Sequence, residues 1–144
     1  ARRSPFDAPP LQVATLSRWI ACTLAASCPQ MDRLAADCVR AFERFRAPLD
    51  AADIDKRRQS PLTERQDEQL LAFGYPYIFD DFEFHMTLAG PLEPGKRDRV
   101  AATLRQIAPG IDRTPLRVDA IALYRQPERA NPFIQTGRFP FGLT

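Results

Sequence analysis

The 144-residue chain contains a single histidine, His85. One imidazole among scattered carboxylates gives no recognisable metal-ligand spacing, so a metal hydrolase is not expected and no cofactor is called for. Cysteine is scarce as well: Cys22, Cys28 and Cys38 are an odd number at spacings that fit neither a zinc ribbon nor a redox pair. They read as free thiols in a reducing cytosol, and without a second histidine to activate it none is expected to act as a nucleophile. Charge of one sign is lacking too. Twenty basic against eighteen acidic residues leave +2, which argues against a nucleic-acid partner and an anionic membrane surface. The run Lys56-Arg57-Arg58 reads as a solvated helix end. No uninterrupted apolar run approaches the roughly 20 residues that span a bilayer. Internal repeats and low-complexity tracts are absent, and the 14 prolines mark turns.

Apolar runs at residues 11–16 and 19–25, bounded by Pro9-Pro10 and Ser27-Cys28-Pro29, predict one or two strands leading into a helix. In that helix Met31, Leu34, Ala35, Cys38, Val39, Phe42 and Phe45 recur at helical spacing, and the stripe is expected to pack on a sheet. Ser27 and Gln30 have the spacing of a capping box, and Pro48 closes the element. Residues 50–59 predict a short exposed helix. Thr63 with Gln66 predicts a capped helix carrying Leu70, Leu71 and Phe73 and ending at a left-handed Gly74. A further helix is expected over residues 96–108, with Val100, Leu104 and Ile107 inward and Pro109-Gly110 as its stop, then strands near 116–124 and 133–139. The interleaving predicts an α+β fold in which helices pack on a mostly antiparallel sheet, in one domain over residues 1–144.

The segment Phe82-Glu83-Phe84-His85-Met86-Thr87-Leu88 alternates apolar and polar residues with period two. Such a strand turns Phe82, Phe84, Met86 and Leu88 to a core and Glu83, His85 and Thr87 to the other face. An imidazole beside a hydroxyl on one rigid face can move a proton while the hydroxyl holds a phosphate or carbonyl oxygen. From the strand alone, an ordinary partly exposed histidine is the competing reading.

The wider string, residues 73–92, runs Phe-Gly-Tyr-Pro-Tyr-Ile-Phe-Asp-Asp-Phe-Glu-Phe-His-Met-Thr-Leu-Ala-Gly-Pro-Leu and resembles the second signature of the two-histidine (2H) phosphoesterases. It is most similar to the bacterial family encoded beside phosphonate-degradation genes, domain of unknown function 1045. Residues 42–49 (Phe-Glu-Arg-Phe-Arg-Ala-Pro-Leu) and 62–66 (Leu-Thr-Glu-Arg-Gln) fit the same family in the same order. The superfamily is named for two His-x-Thr/Ser motifs, one from each of two similar lobes, whereas this chain supplies one. The resemblance therefore implies a C-terminal lobe whose N-terminal counterpart, with the first motif, precedes Ala1.

What the resemblance implies is metal-free cleavage of a small cyclic phosphate or phosphodiester, cytoplasmic and linked to phosphonate metabolism. His85 and Thr87 would be the catalytic pair, and Arg46, Arg65 and Tyr75 would bind substrate. Each of the last three has a bland alternative: Arg46 as a helix C-cap, Arg65 as a first-turn surface residue, Tyr75 as turn packing. Arg138 is a weaker candidate. The expected partner is a small phosphorylated substrate, with no membrane and no nucleic acid, and a homodimer could imitate the missing lobe. An RNA-processing 2′,3′-cyclic phosphodiesterase is the nearest rival, and a noncatalytic binding module is the other if the chain is complete.

Overall fold

A computed structural model describes residues 3–107, 110–128 and 130–142. Helices and antiparallel strands interleave in an α+β fold. Strand β1 (Phe6–Leu16) turns at Ser17, which takes a left-handed φ of 53°, into β2 (Trp19–Leu24). Helix α1 (Pro29–Phe42), α2 (Ala51–Arg58) and α3 (Glu64–Phe73) follow, then β3 (His85–Ala89) and α4 (Pro94–Ile107). Strands β4 (Pro115–Val118), β5 (Ala120–Arg125) and β6 (Ile134–Pro140) complete the chain. A four-stranded sheet has the order β3-β2-β1-β4 with all pairs antiparallel, and β5 and β6 form a separate hairpin.

Local chemistry explains most boundaries. Thr63 and Gln66 form a reciprocal capping box at the start of α3, and Gly74 ends that helix at φ 75°, where a side chain would be strained. Asp50 caps α2 by accepting from the Asp53 N–H at 2.7 Å. The box expected at Ser27 does not form: Cys28 is the N-cap of α1, with Pro29 in the first turn and no side-chain cap. Pro tolerates that position because its missing N–H would have had no helical partner. Of the helix end expected at Ala108 and its Pro109-Gly110 stop, Ala108 and Pro109 lie outside the described residues, and Gly110 follows with a positive φ of 94°.

Two apolar clusters hold the helices to the sheet. Ala8, Cys28 and Met31 join α1 to β1, with Phe6, Leu24, Phe82 and Phe84 packed around them. Val13, Ile20 and Ala101 join α4 to β1 and β2, with Val100 and Leu104 alongside. Several predicted core positions are nevertheless exposed. Phe42 and Phe45 lie past the part of α1 that reaches the sheet, and Ile107 is at the last residue of α4. Met86 and Leu88 sit on the edge strand β3, whose end packs against the α4 cluster at Ala89 while these two side chains stay open to solvent. The chain exposes 10341 Å² in all. A compact monomer of 16.3 kDa exposes about 7,500 Å². Among the described residues no helix is long and apolar enough to cross a membrane.

Candidate active site

Register places the motif. Regular pairing begins at His85 rather than Phe82, because residues 79–81 form a 3₁₀ turn and 82–84 carry no ladder. His85 stands opposite Thr23, and Thr87 opposite Ala21. Directly opposed residues of an antiparallel pair share a face, so His85 and Thr87 lie on the same side of the sheet, both exposed. Extending the register to β1 adds Gln12 beside Thr23 and Ala14 beside Ala21. The row Gln12–Thr23–His85 is thus amide, hydroxyl and imidazole across three strands. Sequence reasoning missed it because Gln12 and Thr23 stand inside apolar runs and become neighbours of the histidine only through long-range pairing.

His85 and Thr87 line an open cavity of about 710 Å³. Trp19, Tyr75, Tyr77 and Phe82 give it aromatic walls, Asp81 and Glu83 supply carboxylates, and none of its described lining residues is a lysine or arginine. The imidazole is oriented by one contact: Nδ1 lies 2.8 Å from the Glu83 carbonyl oxygen. A carbonyl can only accept, so Nδ1 carries a proton and donates it. In the neutral ring Nε2 is then the lone-pair nitrogen, the form in which an imidazole acts as a base.

Of the three predicted substrate-binding residues, Tyr75 lines the cavity and the two arginines do not. Tyr75 stands edge to face with Tyr77 at 5.7 Å, with the Arg57 guanidinium 4.9 Å above its ring. Arg46 lies elsewhere, pairing with Glu43 at 2.6 Å and donating to the Ala47 and Ala72 carbonyls. Its guanidinium thus reaches the last turn of α3 and packs against Gly74, while its backbone N–H closes the 3₁₀ turn at residues 43–45. Arg65 is also outside the cavity, forking onto Asp81 at 2.8 and 2.9 Å. Arg138 pairs with Asp119 at 2.6 Å. The Asp81 carboxyl receives Arg65, Gln66 and Gln69 together, and these donors hold it down at about 2, with the Arg65 hydrogen bond the largest cause.

Cys22 and Cys28 are buried, and Cys38 is half-buried, its thiol raised chiefly by burial. Among the described residues no group of three or more His, Cys, Asp or Glu could hold a metal ion.

Residues 1–134 match the model of a family described as "Protein of unknown function (DUF1045)". Over 136 residues the chain is 32% identical to a protein of Janthinobacterium sp. (strain Marseille) named ribose 1,5-bisphosphate phosphokinase PhnN. That alignment covers 91% of this chain and 30% of the relative, so the chain spans about three-tenths of the curated relative's length. No solved structure matches the chain.

Proposed function

The chain belongs to this family of unknown function, and from that premise we propose that it is one lobe of a metal-independent 2H-type phosphoesterase acting on a small cyclic phosphate or phosphodiester in phosphonate metabolism. The observation that carries the reading is His85 beside Thr87 in one cavity, with Nδ1 bonded to the Glu83 carbonyl and Nε2 left for chemistry. In-line displacement puts attacking and leaving oxygens on opposite sides of phosphorus, so acid and base must approach from opposite directions. His85 serves one side, and the Thr87 hydroxyl donates to a phosphate oxygen. With one histidine in the sequence, the second side falls to a group outside this lobe. The large exposed surface, with apolar Met86 and Leu88 beside the site, suits a lobe that is covered by another.

The relative's kinase name invites a phosphate-loop reading, and Gly90 to Lys96 has the Gly-x4-Gly-Lys spacing between β3 and α4. Arg97 stands where a metal-binding hydroxyl belongs, and Pro91 and Pro94 lack N–H donors. The Leu92 N–H is spent on the Arg18 carbonyl at 2.9 Å. The segment is not a phosphate cradle.

The test is hydrolysis of small cyclic phosphates by the gene-length polypeptide that contains this chain. His85→Ala is expected to lower kcat/KM about 10²- to 10⁴-fold. Thr87→Ala is expected to cost about 10- to 100-fold, the worth of one hydrogen bond to a charged oxygen. Turnover is expected to persist in chelator, and the 144-residue piece alone is expected to be inactive. Unchanged turnover in His85→Ala, or chelator inactivation reversed by a divalent ion, would overturn the proposal. Retained ligand binding without turnover in any form would favour a binding module.

A further inference from the structure

We propose that Arg65 and Asp81 are positioning residues that set the tautomer of His85 through the loop of residues 79–84. Four donated hydrogen bonds converge on Asp81: Arg65 Nε at 2.8 Å and Nη2 at 2.9 Å, Gln66 Nε2 at 3.0 Å and Gln69 Nε2 at 2.7 Å. All four come from α3, so the loop is tied to a rigid helix. Gln69 shows that the network is built around the carboxylate. It turns its amide nitrogen to Asp81 and leaves its buried Oε1 without a partner, and the opposite orientation would set oxygen against oxygen.

The same loop is held on either side of Asp81. Phe79 adopts a φ of 52°, strained for a bulky residue, and its ring is fixed against Phe73 at 5.0 Å and under the Arg40 guanidinium at 4.7 Å. Phe82 and Phe84 pack against the Ala8–Cys28–Met31 cluster. Glu83 stands between these anchors, and its carbonyl meets His85 Nδ1 at 2.8 Å. The partner of one ring nitrogen decides which nitrogen carries the proton. The clamp that fixes the loop therefore leaves the lone pair on Nε2. Its catalytic significance rests on the phosphoesterase reading, but the tautomer does not.

Because the chain has one histidine, its imidazole gives one set of nitrogen NMR signals. At about pH 9, where neutral imidazole dominates, the unaltered chain is expected to show protonated Nδ1 and unprotonated Nε2. Asp81→Asn and Arg65→Lys are expected to shift both signals toward the reverse tautomer, the second because an ammonium cannot make the bidentate fork. Arg58→Gln removes a different fork, from α2 onto Asp67 of α3 at 2.7 Å, without touching the loop, and is expected to shift neither. A protonated Nε2 in the unaltered chain, or an unchanged tautomer in a folded variant, would overturn the proposal. So would unfolding of both variants, seen in amide spectra, because the network would then be a stability element. In the gene-length polypeptide the two variants should also alter the pH profile of kcat/KM. Tautomer shifts as stated with no cyclic-phosphate turnover would remove the phosphoesterase reading and leave the clamp standing.

Discussion

Ala21 stands directly opposite Thr87 across the β2–β3 ladder, and the two share a cavity wall although Ala21 is fully buried and Thr87 is exposed. No surface of Ala21 is open to solvent, so its methyl group is already enclosed by its neighbours. Ala21→Leu would force three extra carbons into that enclosed site, and overpacking of this kind costs about 1–3 kcal/mol. The expected outcome is a lower urea midpoint. In an active polypeptide, KM should rise more than kcat falls, since His85 itself is unchanged.

Thiol reactivity should report the burial of the sheet. Cys22 and Cys28 are 4% and 5% exposed, whereas Cys38 is half-buried with its thiol raised mainly by burial, an effect that Arg3 opposes. Only the thiolate attacks a disulfide reagent. A slow reaction of one thiol is expected in the native chain, with all three reacting quickly in denaturant. Rapid reaction of Cys22 or Cys28 in the folded state would contradict the placement of β2 and of the α1 start.

Acid sensitivity should centre on Asp81. Its folded carboxyl titrates at about 2, below the usual carboxylate range, because Arg65, Gln66 and Gln69 favour the charged form. Between that value and the unfolded one, near 4, the unfolded chain binds more protons. The stabilisation is therefore complete above the unfolded value and is lost as pH falls toward 2. Asp67, lowered by Arg58, works in the same direction. Unfolding free energy measured from pH 5 to pH 2 should fall less steeply in Asp81→Asn than in the unaltered chain.

These relationships differ in how far they could be read before folding. Short-range chemistry was legible: the Thr63–Gln66 box and the left-handed Gly74 follow from residues three to eleven positions apart. The α+β class and the apolar runs at residues 11–16 and 19–25 were legible from pattern and punctuation, whereas the pairing of β1 with β2 came with the fold. Alternation at Met86 and Leu88 misled because it assumes a covered face, and β3 is an edge strand that meets the α4 cluster at Ala89 but leaves these two side chains exposed. The phenylalanine stripe failed likewise at Phe42 and Phe45, where a helix outruns its sheet. Arg65 was singled out for substrate while its fork was already matched by Asp81, 16 residues away, a partner no local pattern reveals. The motif itself was visible, but its neighbours Gln12 and Thr23 depended on register.

Glycine at position 90 ties the end of β3 to the cavity wall. Its φ of 135° lies where side chains are strained, and an added Cβ would come within 2.7 Å of Trp19 Cε3 and 3.0 Å of the Arg18 carbonyl oxygen. Backbone strain of this kind costs about 1–3 kcal/mol before any clash is relieved. Trp19 can move only by disturbing a side chain that lines the cavity with His85, since the backbone of Arg18 and Trp19 blocks the other direction. Gly95 is the counterpart: it lies in α4, and a Cβ there would meet nothing within 4 Å. Gly95→Ala should therefore raise stability by about 0.5–1 kcal/mol, chiefly by restricting the unfolded chain. Gly90→Ala should lower it and shift the emission of the single tryptophan, which makes the readout unambiguous. Equal effects of the two substitutions on the urea midpoint, with Trp19 emission unchanged in both, would mean that Gly90 does not hold Trp19 in the cavity wall.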